Sequence, residues 1–476
     1  MIKKILLLCI ICISTIIHSQ ETIFSFENDL KKSSSDIKDV IPIVNEKTGE
    51  IAFFVADAKN VYAYKLNKQF EVVDKMTSEN KERKFKQFVG YSISKNGDYN
   101  LYLQNNGYSK KFLEIKFSFK KKTVSLKKFS LKNSTEIYVE SISYKNKFYI
   151  ISAYPHTRGF VISFFNENKE FNRKLIGNKI EDFLTKKNKK ISVGRLLYDN
   201  KTKLSLIDKD VPNSIEIVGK PLKIYKEQNS LIFSFDNNPL YTQLFSVNLK
   251  SFNCSATKFI KPLQNITSKK KTNSFLFEDK IALMSSFSKG LQLNIVDTTS
   301  RKVLKEFLIH NGKEIKFKNT PIIQEGGMYN DYREMESSKK FLRKINSSNV
   351  GVSFKRILNG NYQIVIGGYK EQRTAPMPMG GFGGMPIAGI GGLTVSINPT
   401  QFAFNSYANT KSTRIESLVD EDFNHLKGRI SENAFDKMKD YNSTSNGATV
   451  FKYFDFYIKT NYKTFSKTFT FKKFID

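Results

Sequence analysis

The chain has no tryptophan, three cysteines and four histidines in 476 residues. Each shortage closes off an explanation. Cys9 and Cys12 lie within the first twenty residues, so cutting those away leaves only Cys254, and no intramolecular disulfide can form. An exported domain of this kind must be held by its own core. The remaining histidines, His156, His310 and His425, are far apart, with no His-x-x-x-His or Cys-x-x-Cys spacing. No metal site and no cofactor is predicted from them. No G-x-S-x-G elbow marks a nucleophile. A Ser-His-Asp arrangement needs no sequence adjacency and stays open. The sequence names no catalytic residue, and the reading leans away from an enzyme.

Long apolar runs are also missing, with one exception. Lys3 and Lys4 precede an apolar stretch over residues 5–17, and His18, Ser19 and Gln20 return to polar chemistry. That is the pattern of a secretory signal peptide over residues 1–19, with the small Ser19 before the cut. An uncleaved anchor is the alternative. Cys9 follows Leu8 and Cys12 follows Ile11, which argues against a lipidation signal. No later stretch is long and apolar enough to span a bilayer as a helix. The chain is therefore expected to be exported: periplasmic, outer-membrane-associated or secreted. Residues 20–40 are polar and read as a lead-in segment.

Acidic residues are scarce relative to basic ones, 45 against 77. Inside a cell such an excess would point to nucleic acid. Export points instead to anionic polysaccharide, lipid phosphate or a cell surface, and no nucleic-acid partner is expected. The lysines come with many Asn, Ile, Phe and Tyr residues, so the charge also reads as compositional bias with no dedicated partner.

What the chain does have is β-hairpin phrasing. Residues 51–56 (IAFFVA) and 61–66 (VYAYKL) are short apolar runs joined by the turn residues 57–60 (DAKN). Residues 112–119 alternate apolar and polar, the period of a half-buried strand. Asn105, Asn106 and Gly107 form a tight-turn signal. Hairpins of this kind begin near residues 51, 99, 148, 231, 281 and 362, spaced by 48, 49, 83, 50 and 81. Three spacings lie near 50. Residues 194–207 are a candidate degenerate unit in the first long gap.

A unit recurring at about 40–50 residues is the sign of a β-propeller, because one small sheet cannot bury both faces until others stack against it. The reading is an all-β chain over residues 41–476, a propeller-like repeat fold of six or seven blades with short helical insertions near 333–345 and 432–441. Ser431 is the expected cap of the second. The strands at 451–458 and 462–471 are expected to close the ring against N-terminal strands. Residues 45–54 (NEKTGEIAFF) and 95–103 (KNGDYNLYL) resemble the turn-strand phrases of secreted β-propeller repeat proteins in general. The resemblance covers most of residues 41–370 and implies a fold, with no activity. Lacking tryptophan, the chain departs from the Trp-Asp blades of WD40 repeats, from the sialidase Asp-box and from kelch blades.

Few residues stand out as sites. Asp420, Asp422 and Asn424 offer alternating oxygens, but His425 replaces the glycine of a calcium loop and Ser431 its glutamate. A turn role fits better. Asp57, Asp98, Asp236 and Asp297 sit at hairpin turns, where Asp serves turn geometry. Two stretches suit an interaction. One is the loop carrying Tyr154, His156 and Arg158. The other is the Gly/Met/Pro-rich loop over residues 376–393, with Met379, Phe382 and Met385. Lysine clusters at 120–122, 186–190 and 269–271 would matter if they met on one rim.

The leading expectation is an exported, non-enzymatic binding or scaffold protein of the cell envelope, recognising a protein, a glycan or an anionic surface. A polysaccharide-active propeller hydrolase is the alternative. An outer-membrane barrel ranks below both, since lysines interrupt nearly every strand and are costly facing lipid.

Overall fold

In the computed structural model the alternating runs pair with their sequence neighbours into separate small sheets, not into one closed barrel wall. The structure describes residues 21–29, 37–79, 81–105, 110–131, 135–166, 169–266, 269–326, 332–357, 359–370, 397–441 and 447–476. Seven sheets have four or five strands, and they make the seven blades of a β-propeller. Blade one is Asp39–Val44, Ile51–Ala56, Val61–Leu66 and Val72–Ser78. Blade two runs from Gln87–Ile93 to Thr123–Ser130 and blade three from Ile137–Tyr144 to Phe171–Ile176. Blade four has Leu222–Glu227, Ser230–Phe235, Tyr241–Asn248 and Cys254–Ile260, with a short parallel strand, Leu204–Ile207, added beside the first of these. Blade five runs from Lys271–Phe277 to Val303–His310.

Blade six is assembled out of order. Its strands lie as Asn349–Arg356, Tyr362–Tyr369, Ser412–Val419, Ile322–Gln324 and Arg333–Met335. Blade seven is Val450–Tyr453, Phe456–Lys463 and Thr468–Phe474, completed by Glu21–Glu27 from the other end of the chain. That last pairing closes the ring, and it corrects the reading of residues 20–40 as a mere lead-in. Glu21–Glu27 is polar and exposed along much of its length because it is an outer edge, and its partner lies more than 400 residues away.

Phenylalanine sets the contacts between blades. In Ile51–Ala56 every residue is buried, because successive side chains point to opposite faces and both faces are covered. Phe53 packs on Phe469 of blade seven, with ring centroids 5.1 Å apart, and Phe54 on Phe117 of blade two at 5.2 Å. The pattern repeats with Tyr102 and Phe148 at 4.0 Å, Phe160 and Phe233 at 5.3 Å, Tyr225 and Phe275 at 5.9 Å, and Phe277 and Phe354 at 4.2 Å. Such pairs add roughly 0.5–1.5 kcal/mol each beyond the area they bury. Six of the seven blade contacts are therefore ring on ring. The contact between blades six and seven differs.

Among the described residues five α-helices interrupt the blades: α1 (Val193–Asn200), α2 (Ile215–Val218), α3 (Ser338–Asn346), α4 (Pro399–Ala408) and α5 (Ala434–Asp440). The long gap before residue 231 thus holds no extra blade. It holds a two-stranded hairpin (Phe183–Leu184 with Lys190–Ile191), α1, the added strand of blade four and α2. The helix expected near 333–345 starts later, because Arg333–Met335 is a strand. The helix expected over 432–441 is α5, capped by Asn433 and not Ser431. The Asn433 side chain accepts from the backbone of Phe435 and Asp436, and Asp436 answers to the Asn433 amide. The strands expected at 451–458 and 462–471 are divided differently: the chain turns at Phe454 (φ 51°) between Val450–Tyr453 and Phe456–Lys463, and again before Thr468–Phe474. The Gly/Met/Pro-rich loop with Met379, Phe382 and Met385, the leader, and the Asn106–Gly107 turn lie outside the described residues. Among the described residues no helix is long and apolar enough to cross a membrane.

Candidate functional site

The residues singled out from sequence are mostly tied into local structure. Asp57 Oδ1 accepts from the backbone of Lys59 and Asn60, both at 2.6 Å. Asp297 Oδ1 accepts from Thr299 and Ser300. Asp420 Oδ1 accepts from Asp422 and Asn424. These are turn carboxylates, and Asp98 pairs with Lys116 at 2.6 Å. In the 154–159 loop the Tyr154 hydroxyl accepts from Arg173 Nη2 at 2.9 Å, and Arg158 pairs with Asp182 at 2.8 Å. His156 and Arg158 are the exposed residues of this loop. His310 ends a strand of blade five, and His425 Nε2 lies 3.1 Å from Asn319 Oδ1. Among the described residues no three His, Cys, Asp or Glu side chains gather as a metal would need.

Asp236 is the exception among the turn aspartates. It is buried at the contact of blades four and five, with Lys223 Nζ at 2.7 Å from Oδ2 and Lys261 Nζ at 3.2 Å from Oδ1. Thr242 and Ser274 donate to the same carboxylate. Lys261 also donates to the carbonyls of Asp236 and Asn238 and to Thr272. Burial alone would raise the Asp236 carboxyl, but the two ammoniums overcome it and hold the carboxyl well below the usual range. Burial pulls Lys261 down to about 8. Both lysine side chains have no exposed surface, so this cluster is sealed.

The open site lies between blades six and seven. Blade six carries apolar side chains on one face: Phe354 stacks on Phe277 of blade five. Because strand side chains alternate, the next residues face the other way. There the strands present Ser353 and Lys355, then Gln363 and Val365, then Arg414 and Glu416. Register aligns Ser353, Val365 and Glu416 across three strands, and Lys355 with Gln363 beside them. A polar face here means blade seven does not pack directly on blade six. The space is filled by α4, α5 and the segment leading into α2.

Aromatic bridging shows the wedge. Phe435 of α5 stands between Phe404 of α4 (5.3 Å) and Tyr457 of blade seven (5.4 Å). From the other side come Val211, Ile215, Ile217 and Val218, all buried. The Tyr457 hydroxyl donates to Asp210 O and Ser353 Oγ to Asn213 O. Gly351 makes the approach possible: a Cβ there would lie 3.0 Å from Val218 Cγ2 and 3.1 Å from the Gly219 nitrogen.

Among these elements lies a cavity of about 130 Å³, lined chiefly by polar side chains. Arg414 donates to Glu325 at 2.7 Å through Nη1 and to Glu416 at 3.0 Å through Nε. Burial opposes the Arg414 charge, yet Glu416 and Glu325 hold the guanidinium charged beyond its already high range. Gln363 donates to Glu416 at 2.8 Å. Lys355 pairs with Asp476 at 2.7 Å, and burial lowers its ammonium below the usual lysine range. Tyr407 donates to Asp436 at 2.6 Å and accepts from Asn433, with burial raising its hydroxyl. Every charged group facing the cavity thus has a counterpart, so the walls are polar with little net charge.

None of these residues is marked in the sequence. Lys355, Gln363, Arg414 and Glu416 alternate with apolar neighbours, as on any strand with a wet face. Only the ring topology makes that face internal.

No family model matches the chain, and no curated protein matches it. Among solved structures, the WD40 domain of SCAP from fission yeast is 10% identical over 96% of this chain and 87% of that one, at a TM-score of 0.31. Kluyveromyces lactis Hsv2 is 9% identical over 90% and 96%, at 0.29. An ACO/RPE65 chimera is 8% identical at 0.29, and the match spans 56% of this chain and 61% of that one. At these scores the likenesses add nothing to the seven blades read from strand pairing.

Proposed function

We propose that the chain is an exported β-propeller binding protein of the cell envelope, which takes a ligand in the wedge between blades six and seven. One observation carries the reading. A contact that is ring on ring elsewhere is here a polar, partly enclosed cavity whose walls come from three strands of blade six, the segments of α2, α4 and α5, and Glu325. The hydrolase alternative is less well served. Glu325 and Glu416 both accept from one guanidinium, so neither carboxylate stands free in the cavity to meet a glycosidic bond. Apolar side chains of the segment around α2 also fill the space beside the innermost strand of blade six.

Lysine on the exterior suits an anionic surface. The outermost strands of blades one to five carry Lys75, Lys127, Lys174, Lys258 and Lys305. Such lysines also guard sheet edges against pairing with other chains. The two roles separate by salt, because attraction to a distant anionic surface is screened and edge protection is not. The test is fractionation of the native host, followed by retention of envelope polysaccharide and anionic vesicles on the immobilised protein at low and high salt. Recovery in the envelope fraction with salt-sensitive retention is expected. A cytosolic protein that retains neither material at low salt overturns the reading.

A further inference from the structure

We infer that the wedge cavity binds a small uncharged polyhydroxylated molecule, a free polyol or sugar or the terminal unit of a glycan. The inference rests on the binding reading above and names the ligand class. It begins with hydrogen bonds left unmade. Asn213 is 7% exposed and spends its amide hydrogens on the carbonyls of Asp208 and Val211, at 2.7 and 2.9 Å. Two carbonyl acceptors fix that amide's orientation, so its Oδ1 is the free end. Gln363 is 8% exposed and donates to the Glu416 carboxylate. That bond fixes its amide in turn and frees Oε1. Neither oxygen has a partner among the described residues, and both residues line the cavity. Two acceptors that open on one cavity can each take a hydrogen bond from whatever occupies it, water or a ligand hydroxyl.

Donors face the same space. Arg414 uses Nη1 and Nε on its two glutamates, leaving Nη2 without a partner among the described residues. Lys355 uses one of its three hydrogens on Asp476. The occupant must therefore both donate and accept.

Charge then selects the class. Arg414 is matched by Glu325 and Glu416, Lys355 by Asp476, and Lys439 lies 3.9 Å from Glu325. An anion would have to displace an internal carboxylate, and a zwitterion would have to break pairs of both signs. A hydroxyl donates and accepts without charge, and fits the free groups as they stand. Size agrees. A cavity near 150 Å³ holds a six-carbon ring, so about 130 Å³ suits a triol to a small sugar.

The test uses the purified protein and defined probes: glycerol, xylitol and xylose, with alanine and inorganic phosphate as charged comparators. Saturation-transfer NMR and calorimetric titration read binding. At least one of the three polyols is expected to bind, with at least tenfold loss in Val365→Phe, which fills the cavity. Should that variant fail to fold, Gln363→Met removes one free acceptor at nearly constant volume and is expected to weaken the same polyol. A xylose-ended oligosaccharide separates the sources. Binding tighter than free xylose assigns a glycan end, and weaker binding assigns a free polyol. Alanine or phosphate binding in competition with the Val365→Phe effect, with no polyol bound, overturns the ligand class while leaving the binding reading intact. Polyol binding unchanged in both variants overturns the site. No probe bound at all overturns the inference, and the envelope retention experiment then decides the broader reading by itself.

Discussion

Two of the charge clusters inside the ring are built on opposite plans. Between blades four and five, Lys223, Asp236 and Lys261 are sealed, with the carboxylate taking two ammoniums, two hydroxyls and a backbone amide. Between blades six and seven, Arg414, Glu325, Glu416 and Gln363 surround a cavity and leave hydrogen-bonding atoms over. The first cluster is closed because nothing can be added to it. The second is closed for charge and open for hydrogen bonds. Burial of charge alone therefore does not mark a site here; incomplete satisfaction beside empty volume does.

The sharpest way to break the comparison is to remove one partner from the sealed cluster. Asp236→Asn keeps the shape and strands two buried ammoniums. A loss of about 3–5 kcal/mol in urea unfolding is expected, as for any buried pair with one member removed. The triple replacement Lys223→Met, Asp236→Leu, Lys261→Met should instead fall within about 2 kcal/mol of the parent, since well-packed apolar groups replace such clusters at little cost. A triple variant as unstable as the single one would mean that the cluster does more than satisfy itself.

The same cluster predicts a pH effect of somewhat smaller size. Lys261 titrates near 8 in the fold and near 10.5 when unfolded. Between those values the unfolded chain binds more protons, so this group makes stability rise with pH from about 8 to about 10.5, by at most roughly 3 kcal/mol. Below pH 8 both states are protonated and the slope vanishes. Lys261→Met should remove that rise relative to the parent, measured as the difference between their urea midpoints across the window. A parallel pair of curves would place the Lys261 ammonium in a better-solvated setting than the sealed cluster provides.

The contrast between the two clusters also explains what could be read from sequence. The runs at 51–56 and 61–66 are strands of blade one to the residue, because both faces are buried and neither strand tolerates interruption. The hairpins that begin near residues 51, 99, 148, 231, 281 and 362 fall on the second strands of blades one to six, and the ring of seven follows once Phe456–Lys463 is added. Glu21–Glu27 was illegible because an outer edge strand looks like any polar segment until its distant partner is known. The wedge was illegible for a related reason. Arg414 and Glu416 have the spacing of a solvated face, and the lining of the cavity comes from residues 212 to 439, joined only by the fold. Asp236 was legible as a turn residue, but its two lysines lie 13 residues before it, on the strand Leu222–Glu227, and 25 after it, just past the end of Cys254–Ile260.

Within the wedge, Arg414→Met should cost less than Asp236→Asn. Glu325 and Glu416 would lose their shared partner, but their side chains are 17% and 14% exposed and border a cavity that water can enter. A loss of about 1–3 kcal/mol is expected, the range for a buried hydrogen-bonded group left without its partner. A loss equal to that of Asp236→Asn would erase the distinction between a sealed and an open cluster.

The smallest change should separate the two regions most cleanly. Adding one methylene to a well-packed interior forces neighbours off their rotamers and typically costs about 1–3 kcal/mol. Val365 is half-buried, faces the cavity and lies opposite Ser353 and Glu416. In Val365→Leu the extra carbon has empty volume to enter, so the stability should stay within about 0.5 kcal/mol of the parent. At the sealed contact a two-carbon insertion, Ala282→Val in blade five, has no such room: Ala282 has no exposed surface and lies opposite Phe275 and Ile295 in the core. It should show the full overpacking cost. Thermal melts of the two variants, compared with the parent under one buffer, read the difference directly. Equal losses would mean that the wedge is packed as tightly as the rest of the ring, and the cavity would then have no volume to give a ligand.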